Sequence, residues 1–347
     1  MKFPYTRLAT CAVFALATSQ ASSALAEGTV NVYTYRQPAL IQPVLDAFTA
    51  ETGIKTKVLF LDKGLEERVA AEGRNSPVDV ILTVDIARLT RAKEAGITQA
   101  LVDDDSNAAL PTEYRDPEGH WFGVTKRGRV VYASKDRVEQ DSITYAELAD
   151  PKWKGKLCMR SGQHDYNLAL FSAAIAHWGV EKTEEWMTGL KANLARKPAG
   201  GDRPQAGAIA AGECDIAIGN SYYVGLMRTN DKEPKEKEWG NAIKVLFPTF
   251  ENGGTHVNIS GAALAKYAPN RENGVRLIEF LASPAAQQLY AEKNFEYPVQ
   301  PGLEPSDVVK EFGELTADTL SLAEIAANRA AASEMVDRVG LDDGPAS

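Results

Sequence analysis

Short strand-like segments alternate with amphipathic helical segments from residue 30 onward, and this alternation limits the possible folds more than any other feature of the sequence. The predicted strands cover residues 30–33, 57–61 and 78–84, and the predicted helices cover residues 41–52, 65–72 and 85–95. Residues 78–84 are almost entirely apolar, which is typical of a parallel strand covered on both faces. Asp85 is suited to cap the third helix. This order predicts an open α/β sheet.

The rest of the chain also contains predicted strands and helices, with different spacing between them. Further strands are predicted at residues 122–134, 157–160, 216–219, 243–247 and 257–264, and further helices at residues 166–177, 181–194, 203–211, 271–281 and 284–293, with another helix beginning near Ser221. We expect two α/β lobes joined by strands that cross between them, with the ligand between the lobes. The N-lobe is predicted to contain residues 27–108 and 251–304, and the C-lobe residues 109–250 and 305–347.

The first 26 residues have the pattern of a signal peptide. Lys2 and Arg7 precede an apolar stretch over residues 8–17, and a small-x-small tripeptide ends at Ala26. We predict cleavage after Ala26, so that the mature chain begins at Glu27 in the periplasm. An uncleaved anchor helix is the alternative, but the apolar stretch is shorter than the roughly 20 residues that a membrane span needs.

The charge of the chain excludes one class of partner. The formal net charge is -9, and it becomes about -11 once the leader with its two cations is removed. An acidic surface argues against nucleic acid or an anionic membrane as the binding partner. A cationic ligand such as a metal ion is compatible with it.

The cysteines predict one disulfide. Cys11 belongs to the predicted leader, which leaves Cys158 and Cys214 in the exported chain. An even pair in an oxidising compartment favours a bridge, and each cysteine lies in or beside a predicted strand. Two buried free thiols are the alternative. A catalytic cysteine is disfavoured because no basic partner is evident in the sequence.

The tyrosines are the most informative polar residues. Tyr222 and Tyr223 follow a predicted strand and lie in or beside the first turn of a helix that Asn220 or Ser221 can cap. Tyr166 occupies a similar strand-to-helix turn. Three phenolates are hard anionic donors that balance one trivalent cation, although a phenol with a pKa near 10 needs a strong Lewis acid to lose its proton. Half-buried packing is the alternative role, and it is the more common use of such residues.

Several segments together resemble one protein family along essentially the whole mature chain. They are residues 32–38 (VYTYRQP), 51–54 (ETGI), 76–85 (SPVDVILTVD), 126–129 (KRGR), 195–198 (ARKP), 220–223 (NSYY) and 254–258 (GTHVN). In this order they resemble the periplasmic ferric-iron-binding proteins of bacterial iron(III) ABC importers. The resemblance implies a two-lobed periplasmic binding protein fold of the class II type, with two open sheets and crossover hinge strands.

The resemblance also implies the iron ligands. It points to Tyr166, Tyr222 and Tyr223 as the ligands of Fe3+. Many relatives carry a His-Tyr pair after the first strand, whereas this chain has Gln37-Pro38 there. The chain therefore resembles the subgroup in which only the second lobe supplies ligands. Three ligands occupy half of the coordination sites of an octahedral ion, and carbonate or water would occupy the others.

Three side chains are predicted to support the bound ion. Arg36, Gln37 and Arg127 are expected to contact the anion or to orient a phenolate. A structural salt bridge or a solvated side chain is the alternative for each of them. His164 and His256 are expected to form hydrogen bonds or to lie at the surface rather than to bind metal.

The expected function is transport without covalent chemistry. The lobes would close over Fe3+, and an ABC permease in the inner membrane would recognise the closed, monomeric protein. The alternative is a binding protein of the same fold for an organic molecule such as a polyamine or a carboxylate. A hydrolase is disfavoured because the sequence offers no nucleophile and base pair, so we expect no enzymatic activity.

Overall fold

The computed structural model describes Met1, residues 28–101 and residues 110–345. The predicted leader and its cleavage site after Ala26 lie outside the described residues. Within the described ranges, no helix is both long enough and apolar enough to cross a membrane.

The described strands form two sheets that share one strand. They are β1 (Thr29–Thr34), β2 (Lys55–Phe60), β3 (Val80–Thr83), β4 (Phe122–Ser134), β5 (Leu157–Cys158), β6 (Ile216–Asn220), β7 (Ile243–Leu246) and β8 (Val257–Leu264). The strand order is β2-β1-β3-β8-β4-β6-β5, and β7 also pairs with β4. β1 runs parallel to β2 and β3, and β5 runs parallel to β6, whereas β6, β7 and β8 are antiparallel to β4.

The long strand β4 connects the two lobes. Its residues 122–128 pair with β8 in the first sheet, and its residues 129–134 pair with β6 and β7 in the second. One continuous strand therefore belongs to both sheets and passes between the lobes. The two-lobed α/β fold with a crossover strand is confirmed.

The described helices cover the faces of these sheets. They are α1 (Pro38–Thr52), α2 (Leu65–Glu72), α3 (Ile86–Glu94), α4 (Asp165–Trp178), α5 (Val180–Asn193), α6 (Asp202–Ala210), α7 (Ser221–Arg228), α8 (Pro234–Ala242), α9 (Arg271–Ala282), α10 (Pro284–Asn294), α11 (Asp307–Lys310), α12 (Leu322–Ala327) and α13 (Arg329–Val339). Buried apolar side chains of helices and strands form a large continuous core, which includes Phe48 of α1 and Phe171 of α4. Burying one such side chain contributes about 1.5–3 kcal/mol.

Most predicted elements are present, with ends shifted by a few residues. Asp85 caps α3 as predicted, because its carboxylate accepts a hydrogen bond of 2.8 Å from the backbone N–H of Ala87. The first helix begins at Pro38, earlier than predicted, because proline is tolerated in a first helical turn where its missing N–H costs nothing. The strand predicted at residues 157–160 ends at Cys158, where the chain turns toward α4.

The predicted disulfide is present. Cys158 in β5 and Cys214 just before β6 are bonded, with a Cα–Cα distance of 6.0 Å and a sequence separation of 56. The bond ties together two neighbouring parallel strands of the second lobe.

Replacing Cys158→Ser together with Cys214→Ser should destabilise the protein by about 2–4 kcal/mol, because the bond restricts a long loop in the unfolded chain. Urea unfolding would measure this as a lower transition midpoint. A reducing agent should lower the midpoint of the unmodified protein and leave that of the double variant unchanged. Equal midpoints for the two proteins without reductant would contradict a stabilising bond.

Candidate functional site

The three predicted tyrosines lie at the starts of two helices that follow neighbouring strands. Tyr166 is the second residue of α4, and Tyr222 and Tyr223 are the second and third residues of α7. α4 follows β5 after a short loop, and α7 follows β6 directly. Since β5 and β6 are parallel neighbours, both helices start at the same edge of the sheet. We call these three residues the tyrosine cluster.

The side chains of the tyrosine cluster interact closely. The rings of Tyr222 and Tyr223 are 4.1 Å apart between centroids and tilted by 32°. Burial raises the pKa of Tyr222 well above its ordinary value, and negative charge on Tyr166 and Tyr223 raises it further. Burial and the charge of Tyr166 likewise raise the pKa of Tyr223. The phenols therefore keep their protons unless a cation compensates the charge of the phenolates.

His164 fixes the start of α4. Its Nδ1 accepts a hydrogen bond of 3.2 Å from the backbone N–H of Tyr166, and its ring meets the tyrosine ring edge-on at 4.6 Å. Burial lowers the pKa of His164 to about 3, so the imidazole is neutral and free to accept this bond. The hydrogen-bonding role expected for His164 is therefore observed.

The start of α7 differs from the prediction that Asn220 or Ser221 caps it. Asn220 is at the N-cap position but forms no capping bond, because its Oδ1 accepts from Arg129 at 3.0 Å. Ser221 Oγ instead accepts from the backbone N–H of Gly128 at 3.2 Å. The first turn of α7 therefore has no side-chain cap, and its positive end favours nearby negative charge.

Four guanidinium groups surround the tyrosine cluster. Arg127, Arg129 and Arg160 lie 5.4, 5.9 and 5.3 Å from the ring centre of Tyr166. Arg203 lies 5.4 Å from the ring centre of Tyr223. Such positions allow cation–π attraction and compensate negative charge on the phenolate oxygens.

Among the described residues, Arg127 differs from its neighbours in having no carboxylate partner. Asp202 pairs with Arg129 at 2.6 Å and with Arg160 at 3.3 Å. The guanidinium of Arg127 is buried and donates to Ser260 Oγ at 3.2 Å and to the carbonyl of Val84. Within the described ranges, no carboxylate lies within 4.0 Å of it. Arg127 thus remains suited to hold an anion beside the phenols.

Sequence reasoning missed the other three arginines and Asp202 as parts of this site. Arg129 lies within the segment 126–129 that carries the family resemblance, and Arg160 begins the loop that leads to Tyr166. These two positions in the sequence could have indicated that Arg129 and Arg160 belong to the site. The local sequence pattern does not indicate that Asp202 or Arg203 belongs to the site, because only the tertiary fold brings α6 close to the tyrosine cluster.

Arg36 forms the structural salt bridge that was the alternative to anion contact. Its two terminal nitrogens lie 2.7 and 2.9 Å from the carboxylate oxygens of Glu296, and it also donates to Ser260 Oγ. Burial raises the pKa of Glu296, but Arg36 and a hydrogen bond from Thr125 outweigh burial and lower it overall. Arg36 is therefore first of all the partner of a buried carboxylate. Its positive charge also offsets part of the rise in the pKa of Tyr222 that burial causes.

Gln37 lies at the surface. It occupies the N-cap position of α1, is exposed and forms no side-chain capping bond. Its predicted role toward an anion stays a prediction.

An ion pair crosses between the lobes beside the tyrosine cluster. Arg88 of α3 donates to Asp165 of α4 at 3.0 and 2.8 Å, and Arg329 of α13 pairs with the other oxygen of Asp165. Asp165 directly precedes Tyr166. A contact between the two lobes therefore includes the residue directly before this tyrosine.

Among the described residues, no group of three His, Cys, Asp or Glu side chains is arranged to hold a metal ion. His256 is fully buried near the hinge, and burial lowers its pKa to about 3.

Replacing Glu296→Gln should destabilise the protein by about 3–5 kcal/mol, because the substitution leaves Arg36 buried without its counter-charge. The matched control is Glu184→Gln, which removes a partner of Arg338 in an exposed pair and should destabilise the protein much less, because water screens that pair. Urea unfolding compares the two variants. Equal losses would show that burial of the pair is irrelevant.

Comparisons with known proteins agree with this architecture. The sequence profile of the bacterial extracellular solute-binding proteins matches residues 33–288. Iron uptake protein A1 of Synechocystis is 41% identical over 90% of this chain and 87% of its own length. The apo ferric ion-binding protein A of Pasteurella haemolytica superimposes with a TM-score of 0.86 at 50% identity, covering 91% of this chain and 98% of that chain.

A third similar protein was solved with ligands. The Trichodesmium protein in complex with iron and citrate ligands superimposes with a TM-score of 0.85 at 40% identity, covering 90% of this chain and all of the other. The profile match spans well over half of the chain, and the relatives are covered over nearly their whole length. The chain belongs to the family of bacterial extracellular solute-binding proteins.

Proposed function

We propose that this protein captures Fe3+ in the periplasm through Tyr166, Tyr222 and Tyr223 and delivers it to an ABC permease in the inner membrane. The observation that carries the proposal is the convergence of three phenols at one sheet edge, surrounded by guanidinium groups. The similarity to proteins named for iron uptake and ferric ion binding supports the same cargo. The alternative of an organic ligand such as a polyamine is not favoured by these comparisons.

The chemistry of the donors fits a hard trivalent cation. Three phenolates carry three negative charges, which balance one Fe3+. In the iron-free protein the same three charges would repel one another inside a partly buried site. A strongly charged ion is therefore needed to make their ionisation favourable.

A small oxyanion completes the proposed coordination shell. Carbonate was the first expectation, and the similar Trichodesmium protein binds iron together with citrate. Arg127, which has no carboxylate partner among the described residues, and the uncapped start of α7 both favour an anion beside the tyrosine cluster. Carbonate and citrate both satisfy this charge requirement, and a spectrum of the iron-loaded protein with either anion distinguishes them.

Closure of the lobes accounts for retention of the ion. In the proposed division, the N-lobe contains residues 27–108 and 251–304, and the C-lobe contains residues 109–250 and 305–347. The C-lobe binds the ion first, and the N-lobe then closes over it with β4 as the connecting strand. The Arg88–Asp165 pair stabilises the closed form. We further propose that the mature chain begins at Glu27 and acts as a monomer.

The double variant Tyr222→Phe/Tyr223→Phe should lose the phenolate-to-iron absorption of the iron-loaded protein, because two of the three donors are removed. The measurement is a visible spectrum after addition of ferric citrate and removal of unbound iron. The control Tyr267→Phe changes a tyrosine that is 38% exposed and does not belong to the cluster, so the colour should be unchanged. Tight iron binding by the double variant would refute the ligand assignment.

The affinity for iron should fall steeply as the pH is lowered. The raised pKa values of Tyr222 and Tyr223 keep both phenols protonated at neutral pH in the iron-free protein, so each must release a proton when iron binds. At least two released protons weaken the apparent affinity at least about a hundredfold for each pH unit of acidification. Competition with a chelator between about pH 6 and pH 8, corrected for the protonation of the chelator, measures this slope. A pH-independent affinity would contradict phenolate binding.

A further inference from the structure

A buried ion pair connects the two helix starts that carry the tyrosine cluster. It consists of Arg129 on β4 and Asp202, the first residue of α6, so neither residue belongs to the helices that it connects. Nη1 of Arg129 lies 2.6 Å from Oδ2 of Asp202, and the two side chains are 2% and 0% exposed. We call Arg129 and Asp202 the bridging pair.

The bridging pair holds the start of α7. Oδ2 of Asp202 accepts a hydrogen bond of 2.9 Å from the backbone N–H of Asn220. Nη1 of Arg129 donates to Oδ1 of the same asparagine at 3.0 Å. Asn220 is the N-cap residue of α7 and lies two residues before Tyr222. The backbone and the side chain at this helix start are therefore both bound to the pair.

The bridging pair also holds the start of α4. Nη2 of Arg129 donates to Oδ1 of Asn167 at 2.5 Å, and Asn167 directly follows Tyr166. Nδ2 of Asn167 in turn donates to the backbone carbonyl of Arg160 at 3.1 Å. The guanidinium of Arg160 donates to Oδ1 of Asp202 at 3.3 Å. The first turn of α4 and the loop before it are thus bound to the same two residues as α7.

These contacts depend on the residue types of the pair. Burial raises the pKa of Asp202, but the charges of Arg129 and Arg160 outweigh burial and lower it overall, so the carboxylate is ionised. Its two oxygens accept from the N–H groups of three residues, whereas an amide at this position would turn a donor toward one of them. The planar guanidinium of Arg129 reaches three side chains at once, which the single nitrogen of a lysine does not.

We propose that the bridging pair positions the tyrosine cluster by fixing the spacing between Tyr166 on α4 and Tyr222 and Tyr223 on α7. Neither member of the pair binds the ion. Both act through the two helix starts, in the way that outer contacts orient metal ligands. The consequence for iron rests on the proposed function, whereas the link between the helix starts rests on the hydrogen bonds alone.

Hydrogen exchange of the iron-free protein tests the link without any metal. Asp202→Asn should speed the exchange of backbone amides at the starts of both α4 and α7, because the variant disturbs contacts that serve both. The matched control is Asp215→Asn. Asp215 also pairs with two cations, Arg137 and Lys156, but lies at the opposite end of β6. Faster exchange at only one helix start or at neither, or the same pattern in the control, would overturn the proposal.

Titration with ferric citrate in competition with a chelator tests the consequence for iron. Asp202→Asn should bind iron about tenfold more weakly or worse, with a shifted phenolate-to-iron absorption maximum. Arg129→Lys keeps the positive charge but loses the planar fork, so it should show the same two changes if position rather than charge is decisive. Asp215→Asn should keep the affinity and the colour of the unmodified protein. An unchanged affinity in Arg129→Lys would contradict positioning by the pair.

A double-mutant cycle separates positioning from general destabilisation. In a Tyr166→Phe background both remaining phenols lie on α7, so no spacing between helices is left to fix. Asp202→Asn should therefore weaken iron binding much less in this background than in the unmodified protein. Equal losses in the two backgrounds would show that Asp202 acts through overall stability and would refute the proposal. If the unmodified protein develops no phenolate-to-iron colour, the proposed function fails, and the exchange experiment alone decides whether the pair links the helix starts.

Discussion

Repulsion between ionised phenols at the ends of two neighbouring parallel strands is the constraint on which the rest of the site depends. β5 and β6 lead into α4 and α7 at one sheet edge, so negative charge on Tyr166 raises the pKa of both Tyr222 and Tyr223. The surrounding arginines and the uncapped helix start reduce this penalty without removing it. A site of this kind is weak for neutral ligands and strong for a highly charged cation, which is the selectivity that a ferric ion carrier needs.

A buried polar network holds the crossover region in one arrangement. Arg36 after β1, Glu296 after α10, and Thr125 and Ser260 on β4 and β8 are joined by hydrogen bonds. Arg127 shares Ser260 and lies over the ring of Tyr166. The interior of the hinge thus continues directly into the tyrosine cluster. The buried hydrogen-bond network of the shared strand β4 therefore reaches the ring of Tyr166.

The sequence was sufficient for the elements whose pattern is local. The apolar strand at Val80–Thr83 and the strand-to-helix turns at the tyrosines follow from periodicity, and the Asp85 cap follows from capping preference, whereas the side-chain cap predicted for α7 is absent. The C-terminal helices were not predicted, although Leu322 and Ile325 have helical spacing. The partner of Arg36 was out of reach, because Glu296 is 260 residues away and only the tertiary fold brings the two together. Asp202 was missed for the same reason.

The disulfide between Cys158 and Cys214 clamps the two strands whose ends carry the tyrosine cluster. Thiols remain reduced in the cytosol and become oxidised outside it. The bond is therefore expected in the periplasm and is not expected in a chain that is still in the cytosol. The two strands whose ends carry the tyrosine cluster are thus joined covalently only in an oxidising compartment.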